Sequence, residues 1–381
     1  MAKKASCSTA EDGEIEVRIS VGRAILGYLV DQYAEDDSLY PKDPKKRALI
    51  NQRMYFDIST LYQRLQDTYM ARILHRESSI DPGTQSKFED ALSILNELLE
   101  GHDWMAGRDF SIADISLAVT VSTAEVRGTG NSRGSKQVPQ GRSLARTGKV
   151  SSRPIMPLDL YYSPLSPPCL TVLLTARQLG VKLNLKQLNL KAWEHLSPQF
   201  CKMNPQHTIP TLNDDGFTLW ESRAILGYLV NKFGESDDPL YPRDPKKRAL
   251  VDQRLYFDIG TLYQNFMEYY FPVAFNGAEF DPKKIYKITR AIQVLETFLE
   301  DQQWVAGTSL TIADISIAVT LSCAEVSHLA LGFDVSPSKY PNVYQWYGEA
   351  KNSISGYSEL TNEALEFFKR LIDVAPGNRN K

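Results

Sequence analysis

Ser166 has the residue type and the position to stabilise a bound anion. It follows a predicted strand over 158–162 and precedes a predicted helix that begins at Pro167. A hydroxyl donor at a helix N-terminus acts together with the field of the helix, and both favour negative charge. A serine before a helix more often only caps it, so this position becomes informative only together with other motifs.

Cys169 lies three residues further along, in the segment Ser166-Pro-Pro-Cys169. A dithiol oxidoreductase of the Cys-x-x-Cys type carries its attacking thiol at the first of these positions, where this chain has a serine. We therefore expect no redox role for Cys169 and predict that it packs inside its helix.

Glu221-Ser222-Arg223 opens another predicted helix, directly after a predicted hairpin. Backbone N–H groups at such a helix start, with the Ser222 hydroxyl, can hold a carboxylate. Glu221 can pair with an ammonium group beside it. Helix capping by the same residues is the alternative, and both roles are compatible.

Composition restricts the function classes. The chain has 381 residues, a formal net charge of −3 and a pI near 6.0, which gives no electrostatic case for binding nucleic acid or an anionic membrane. The N-terminal segment has no apolar signal-peptide core, and no run of eighteen apolar residues occurs. The four scattered cysteines have no metal-ligand spacing. We predict reduced thiols, a cytoplasmic location and no metal site.

The chain contains an internal repeat. RAILGYLV occurs at Arg23 and again at Arg223, and LYPKDPKKRAL at Leu39 returns from Leu240 with one change. The segment from Ser111 returns from Thr311 with 12 of 16 positions identical. A period this long indicates a duplicated domain. The first copy is truncated, because it enters only at the last predicted strand and stops near Val126.

Apolar periodicity gives the elements of the complete copy. Strands are predicted at 158–162, 183–190, 211–212 and 217–219, and helices at 167–180, 198–203 and 221–233. The order is βαβ, helix, β-hairpin and helix, which predicts a thioredoxin-like half. The remainder is predicted to be all helical. Its long first helix is predicted to carry two stripes of residues. The apolar stripe is Leu255, Ile259, Leu262 and Phe266, and the aromatic stripe is Tyr256, Tyr263 and Tyr270.

The complete copy resembles the cytosolic glutathione S-transferases, most closely the insect delta class. DLYYSPLSPPC, NPQHTIPTL, LWESRAI and TIADIS occur in that family's order and intervals over nearly all of 156–377. The resemblance implies a thioredoxin-like N-terminal domain with an all-helical C-terminal domain. It also implies glutathione transferase activity on hydrophobic electrophiles, hence detoxification of xenobiotics. Leu165 departs from the pattern, because the delta class usually has glycine before the catalytic serine.

The resemblance assigns roles residue by residue. It gives Ser166 as the catalytic residue and Ile209-Pro210 as a cis peptide bond. The glutathione-binding residues that it implies are His195, His207, Thr208, Ile209, Pro210, Glu221, Ser222 and Arg223. The hydrophobic pocket is expected at Leu165, Pro167, Tyr263, Phe266 and Tyr270. Glutathione is then a co-substrate and no cofactor is expected.

The predicted domain map has five parts. These are a disordered tail at 1–13, a truncated transferase copy at 14–126, a disordered basic linker at 127–155, a thioredoxin-like domain at 156–236 and an all-helical domain at 237–377. The first copy has no counterpart of Ser166, so it is expected to lack a glutathione site. We predict a partly folded helical remnant over 30–126 that aggregates or borrows a partner surface. A fusion of neighbouring duplicated genes, or a gene-model error, is favoured over a two-headed enzyme.

Two other functions remain open on the same fold. The chain could bind hydrophobic ligands without catalysis, or it could serve as an interaction domain. Retention of Ser166 and of Glu221-Ser222-Arg223 favours the enzyme. The resemblance also implies a homodimer through the complete copy.

Overall fold

The computed structural model describes residues 21–74, 80–127, 158–331 and 336–373. The predicted tail at 1–13, the first copy's predicted strand apart from Val21, and the predicted linker apart from Arg127 lie outside these residues. None of the helices in the described ranges combines the length and the apolar character that a membrane crossing requires.

The first copy consists of helices. They are α1 (Gly22–Tyr33), α2 (Pro44–Phe56), a π-helical turn (Asp57–Leu61), α3 (Tyr62–Leu74), α4 (Pro82–Leu99) and α5 (Ile112–Arg127). Asp43 caps α2 by accepting from the Lys46 N–H at 2.9 Å, and Asp81 caps α4 by accepting from the Thr84 N–H at 2.8 Å. Both helices begin with proline, whose fixed φ suits a first helical position.

The first copy is helical, as predicted, and only the predicted start of this segment at Val30 differs from the structure. Regular helix begins eight residues earlier, at Gly22, and an apolar cluster fills the space between the helices. The cluster of the first copy comprises Phe56, Leu61, Leu65, Phe88, Ala91, Leu95, Leu98, Met105 and Leu117, all buried. Although the first copy lacks most of the sheet, its helices enclose an apolar core of their own.

The complete copy begins with the thioredoxin-like half that the sequence predicted. Its elements are β1 (Leu158–Tyr162), α6 (Pro167–Gln178), β2 (Leu183–Gln187), α7 (Pro198–Met203), β3 (Thr211–Asp214), β4 (Phe217–Trp220) and α8 (Ser222–Phe233). Short 3₁₀ turns at Leu190–Ala192 and Glu194–Leu196 fill the space between β2 and α7. The predicted second strand ends three residues early, at Gln187.

The sheet has the order β2-β1-β3-β4, with β1 and β2 parallel and the other pairs antiparallel. The β3–β4 turn uses Asp215 at φ 52° and Gly216 at φ 84°. Positive φ at both central residues is what a tight hairpin turn of this hand requires. This turn returns β4 so that it ends beside the start of β3.

The second half of the complete copy is helical. Its helices are α9 (Pro245–Phe257), a π-helical segment (Asp258–Tyr263), α10 (Gln264–Asn276), α11 (Pro282–Phe298), α12 (Ile312–Leu331), α13 (Pro341–Ser353) and α14 (Tyr357–Asp373). The predicted aromatic face of the long helix (Tyr256, Tyr263 and Tyr270) is not continuous in the structure. The π-helical segment changes the register of the helix, so Tyr256 contacts Tyr55 of the first copy, while Tyr263 and Tyr270 line a cavity.

The two copies pack directly on one another. Helix α1 lies against α9, and α2 lies against α8 and β4. Buried residues of both copies, among them Tyr55 and Tyr256, form one continuous apolar cluster.

Candidate functional site

Three strands bring the predicted site segments to one edge of the sheet. Tyr161 of β1 pairs with Thr211 of β3, and Thr211 pairs with Trp220 of β4. Neighbouring strands lie about 4.8 Å apart, so this row spans roughly 10 Å, close to the length of an extended tripeptide. The chain leaves β1 toward Ser166, enters β3 from Pro210 and leaves β4 at Glu221. The site is therefore assembled by strand register.

Ser166 is the N-cap residue of α6, with extended backbone angles (φ −93°, ψ 114°). Its backbone carbonyl accepts from the N–H groups of Cys169 and Leu170 at 2.9 and 3.0 Å. Within the described part of the chain its side chain makes no capping hydrogen bond. The Ser166 hydroxyl therefore does not cap α6. Ser166 lines the large cavity described below.

Cys169 is fully buried in α6. Burial raises the pKa of its thiol to about 12, and a hydrogen bond with the Ser166 side chain opposes the shift only in part. The thiol is therefore protonated at neutral pH, as expected for a packed and unreactive cysteine.

The Ile209–Pro210 peptide bond is cis, as predicted. Asn204 braces the loop that leads to it, because its side-chain amide donates to the Thr208 carbonyl at 2.9 Å and to the Thr211 hydroxyl at 2.9 Å. Asn204 is itself completely buried. This network fixes Thr208, Ile209 and Pro210 at the start of β3.

Glu221 has a positive φ of 64°, unusual for a residue with a side chain. Its carboxylate accepts from the Gln206 amide at 3.3 Å. Burial raises the pKa of this carboxyl group to about 7, although the Gln206 hydrogen bond and the Arg223 charge act in the opposite direction. Burial disfavours the ionised form of Glu221, and a cation that enters the site and pairs with the carboxylate favours that form.

Arg223 is buried rather than directed at the sheet edge. Its guanidinium donates to Asp258 at 2.6 and 3.1 Å and to the Ser222 hydroxyl at 3.1 Å. Ser316 and Thr320 also donate to the Asp258 carboxylate, at 2.6 and 2.7 Å. Ser222 is buried as well. Arg223 therefore ties the start of α8 to the helical half and fixes Ser222.

The first copy keeps part of this arrangement without the rest of the site. Arg23 donates to Asp57 at 2.7 and 3.0 Å, and Ser116 donates to the same carboxylate at 2.5 Å. No equivalent of Ser166 accompanies these residues in the sequence. The ion pair therefore has a structural role that does not depend on a bound substrate, which is to attach the helix to its helical domain.

His195 and His207 lie near each other on the loops beside this edge. Burial lowers the pKa of His195, and the charge of His207 lowers it further. The Nδ1 atom of His195 is buried without a hydrogen-bond partner among the described residues. His207 is exposed and has a φ of 44°.

A cavity of about 720 Å³ opens beside Ser166. All five predicted pocket residues line it, with Leu165 and Pro167 on the serine side and three aromatic residues of the long helix opposite. Phe266 is almost fully buried, at 1% exposure. The walls are mostly apolar, which suits a hydrophobic ligand held next to a polar group.

The sequence prediction missed 12 of the 18 residues that line the cavity. The residues not named are Ser163, Gln187, Leu188, Asn189, Leu190, Lys191, Glu194, Met267, Phe271, Phe275, Phe367 and Phe368. The spacing of Met267, Phe271 and Phe275 by four residues was a usable helical signal. Phe367 and Phe368 belong to the last helix, and only the tertiary fold places them here.

Comparison with known proteins agrees with this geometry. Residues 156–231 match the glutathione S-transferase N-terminal domain model, and residues 262–352 match the C-terminal domain model. The structure of a delta-class glutathione transferase from Nilaparvata lugens is 47% identical, covers 57% of this chain and 100% of its own, and has a TM-score of 0.53. This chain belongs to the glutathione S-transferases.

Two further structures are similar. A Bombyx mori glutathione transferase is 42% identical over 58% of this chain and 100% of its own, with a TM-score of 0.54. A glutathione transferase homologue from Drosophila mojavensis, solved with bound glutathione, is 36% identical over 58% and 98%, with a TM-score of 0.53. The predicted fold class is confirmed. The chain is an enzyme that conjugates glutathione, and the non-catalytic alternatives are not favoured.

Proposed function

We propose that Ser166 activates the thiol of glutathione and that the thiolate attacks a hydrophobic electrophile in the adjoining cavity. The observation that carries this proposal is the place of Ser166, which lies at the sheet edge and also lines the apolar cavity. A free thiol has a pKa near ~8.5, and a fall of about two units needs ~2.7 kcal/mol. One hydroxyl donor and a helix N-terminus can supply that together.

Glutathione binding is proposed along the row of strand ends. Glu221 meets the ammonium group, and Ser222 with the first N–H groups of α8 meets the neighbouring carboxylate. The Ile209 backbone pairs with the cysteinyl backbone as an added strand would. Thr208 and Pro210 hold that segment in place. His195 and His207 take the glycine carboxylate, where a donor or a cation suits an anion.

Catalysis needs only orientation and thiol activation, so no cofactor is proposed and glutathione remains a co-substrate. The acceptors that fit the aromatic wall are aryl or alkyl halides, lipid aldehydes and hydroperoxides. We therefore propose a cytoplasmic, delta-class detoxification enzyme, and a tandem duplication as the origin of the two copies.

A homodimer through the complete copy stays a prediction. Helices α8 and α9 of the complete copy are in contact with α2 and α1 of the first copy. A self-pair of complete copies would therefore require another face or displacement of the first copy.

The test is glutathione conjugation to a generic aryl halide by the full chain, Ser166→Ala and Ser166→Thr. We expect Ser166→Ala to lose roughly 20- to 100-fold of kcat/KM near pH 6.5, which corresponds to a thiol pKa about two units higher. Ser166→Thr keeps a hydroxyl and should retain more activity than Ser166→Ala. Full activity in Ser166→Ala would reject the assignment.

A further inference from the structure

The contact between the two copies has the pattern of a twofold interface. Helices α1 and α8 derive from the same repeated segment, and so do α2 and α9. Helix α1 packs on α9 as α8 packs on α2. The equivalent residues Tyr55 and Tyr256 contact each other, with ring centroids 4.7 Å apart and ring planes tilted by 35°. Reciprocal contact between equivalent elements defines an isologous interface between two subunits, which here belong to one chain.

Trp220 of the complete copy is inserted into the apolar cluster of the first copy. The side chain is 4% exposed and packs in the cluster of Phe56, Leu61 and their neighbours, and not in the core of its own domain. The Arg53 guanidinium carbon lies 5.4 Å from the Trp220 ring centroid. The Gln52 side-chain amide donates to the Trp220 backbone carbonyl at 3.3 Å.

Trp220 connects this seat to the glutathione site. It directly precedes Glu221, and its indole N–H donates to the side-chain amide oxygen (Oε1) of Gln206. The amide group of Gln206 in turn donates to the Glu221 carboxylate at 3.3 Å. The first copy therefore holds the backbone and the side chain of the residue from which the Glu221 turn departs.

The first copy also contacts the hairpin that carries this turn. The Lys45 ammonium group lies 3.6 Å from the Asp214 carboxylate and 5.2 Å from the centroid of the Phe217 ring. Lys45 is partly exposed, so this ion pair contributes little stability, but it is a second contact of the first copy with the β3–β4 hairpin.

We propose that the first copy takes the place of a partner subunit and that Gln52, Arg53 and the apolar seat of Trp220 position the glutathione-binding turn. These are positioning residues, since they act through Trp220 and Gln206. The inference rests on the proposed contact of Glu221 and Ser222 with glutathione. The active unit is then a single chain with one glutathione site.

The kinetic test uses full chains and separates binding from chemistry. Gln52→Ala removes the donor to the Trp220 carbonyl and should raise KM for glutathione about three- to tenfold, as expected for one lost hydrogen bond. The KM for the electrophile, and kcat at saturating glutathione, should stay unchanged. The matched control is Gln253→Ala, the equivalent residue of the complete copy, which should leave the KM for glutathione unchanged.

Trp220→Phe keeps the seat filled and removes only the indole donor to Gln206, so it gives an independent result if Gln52→Ala folds poorly. An unchanged KM for glutathione in the folded variants would overturn the positioning role. Loss of activity in Ser166→Ala with an unchanged KM in Gln52→Ala would refute this inference alone. Activity retained in Ser166→Ala would refute the proposed thiol activation instead.

The mass in solution tests the replacement of a partner subunit. Light scattering after size exclusion should give one chain, 43.0 kDa. A mass of twice that value at assay concentration would overturn the assignment of the first copy as the stand-in for a second subunit.

Discussion

Replacing Asp252 with asparagine should stabilise the protein at neutral pH. Asp252 lies near the contact between the two copies and is 8% exposed. Its carboxylate accepts from the Tyr241 hydroxyl at 2.6 Å. The first copy has Asn51 at the equivalent position, and its amide oxygen accepts from the Tyr40 hydroxyl at the same distance of 2.6 Å. The repeat therefore shows that an asparagine can make this hydrogen bond.

The size of the effect follows from the Asp252 pKa. Burial raises it from 3.8 to about 6, although the Tyr241 hydrogen bond and the Arg248 charge oppose the shift. Since the pKa is higher in the folded state, the folded protein binds the proton more tightly. The stability from protonation is complete below about pH 4 and is lost as the pH rises through about 6. Two units correspond to about 3 kcal/mol, which is the upper limit of the gain from Asp252→Asn.

The assay is urea unfolding of the wild type and Asp252→Asn at about pH 7.5 and about pH 4.5. The variant should have the higher midpoint at pH 7.5 and a smaller advantage at pH 4.5. Asn51→Asp is the matched reverse change and should destabilise the protein at pH 7.5. An equal gap at both pH values, or no gain at pH 7.5, would refute the reasoning.

Two further predictions concern groups whose pKa is raised by burial. The Glu221 carboxyl, with a pKa of about 7, must be ionised to pair with an ammonium group, so KM for glutathione should rise as the pH falls below about 7. Glu221→Gln should have a higher KM at pH 8 and a flatter pH profile, and a wild-type profile in the variant would contradict the assigned pairing. Cys169, with a thiol pKa of about 12, should stay unmodified when the folded protein is treated with iodoacetamide at neutral pH. Peptide mapping measures this, and rapid labelling of Cys169 in the native state would contradict its burial.

The thioredoxin-like half could be predicted closely from the sequence. Short alternating segments and the Asp214-Asp215-Gly216 turn signal lie at fixed intervals, and local patterns of this kind define strands and hairpins. The predicted strand at 158–162 agrees with β1, and the predicted helix at 198–203 agrees with α7. The register that joins Ser166, Pro210 and Glu221 at one sheet edge follows from these elements.

The long helix shows where periodicity stops being sufficient. A regular helix would place Tyr256 on the same face as Tyr263 and Tyr270, which lie seven and fourteen residues later. The π-helical segment Asp258–Tyr263 intervenes and turns Tyr256 toward the other copy. Apolar periodicity assumes a regular helix and does not reveal such a segment, although the equivalent sequence of the first copy forms one as well, at Asp57–Leu61.

The behaviour of the first copy could not be read from its own sequence. Its missing strands suggested an incomplete domain, but its helices enclose a core that also accepts Trp220 from the complete copy. The hydrogen bond between Gln52 and Trp220, for example, joins residues 168 positions apart in the sequence. The repeat predicted that the two copies share a fold, and only the structure shows that they share an interface.

The most direct test of the account is a pH titration of the thiolate absorbance of glutathione bound to the full chain, compared with Ser166→Ala. A titration with a pKa well below ~8.5 in the wild type, shifted up by about two units in Ser166→Ala, is the predicted result. Binding of glutathione by both proteins with the same thiol pKa would contradict it, because Ser166 would then not be the group that stabilises the thiolate.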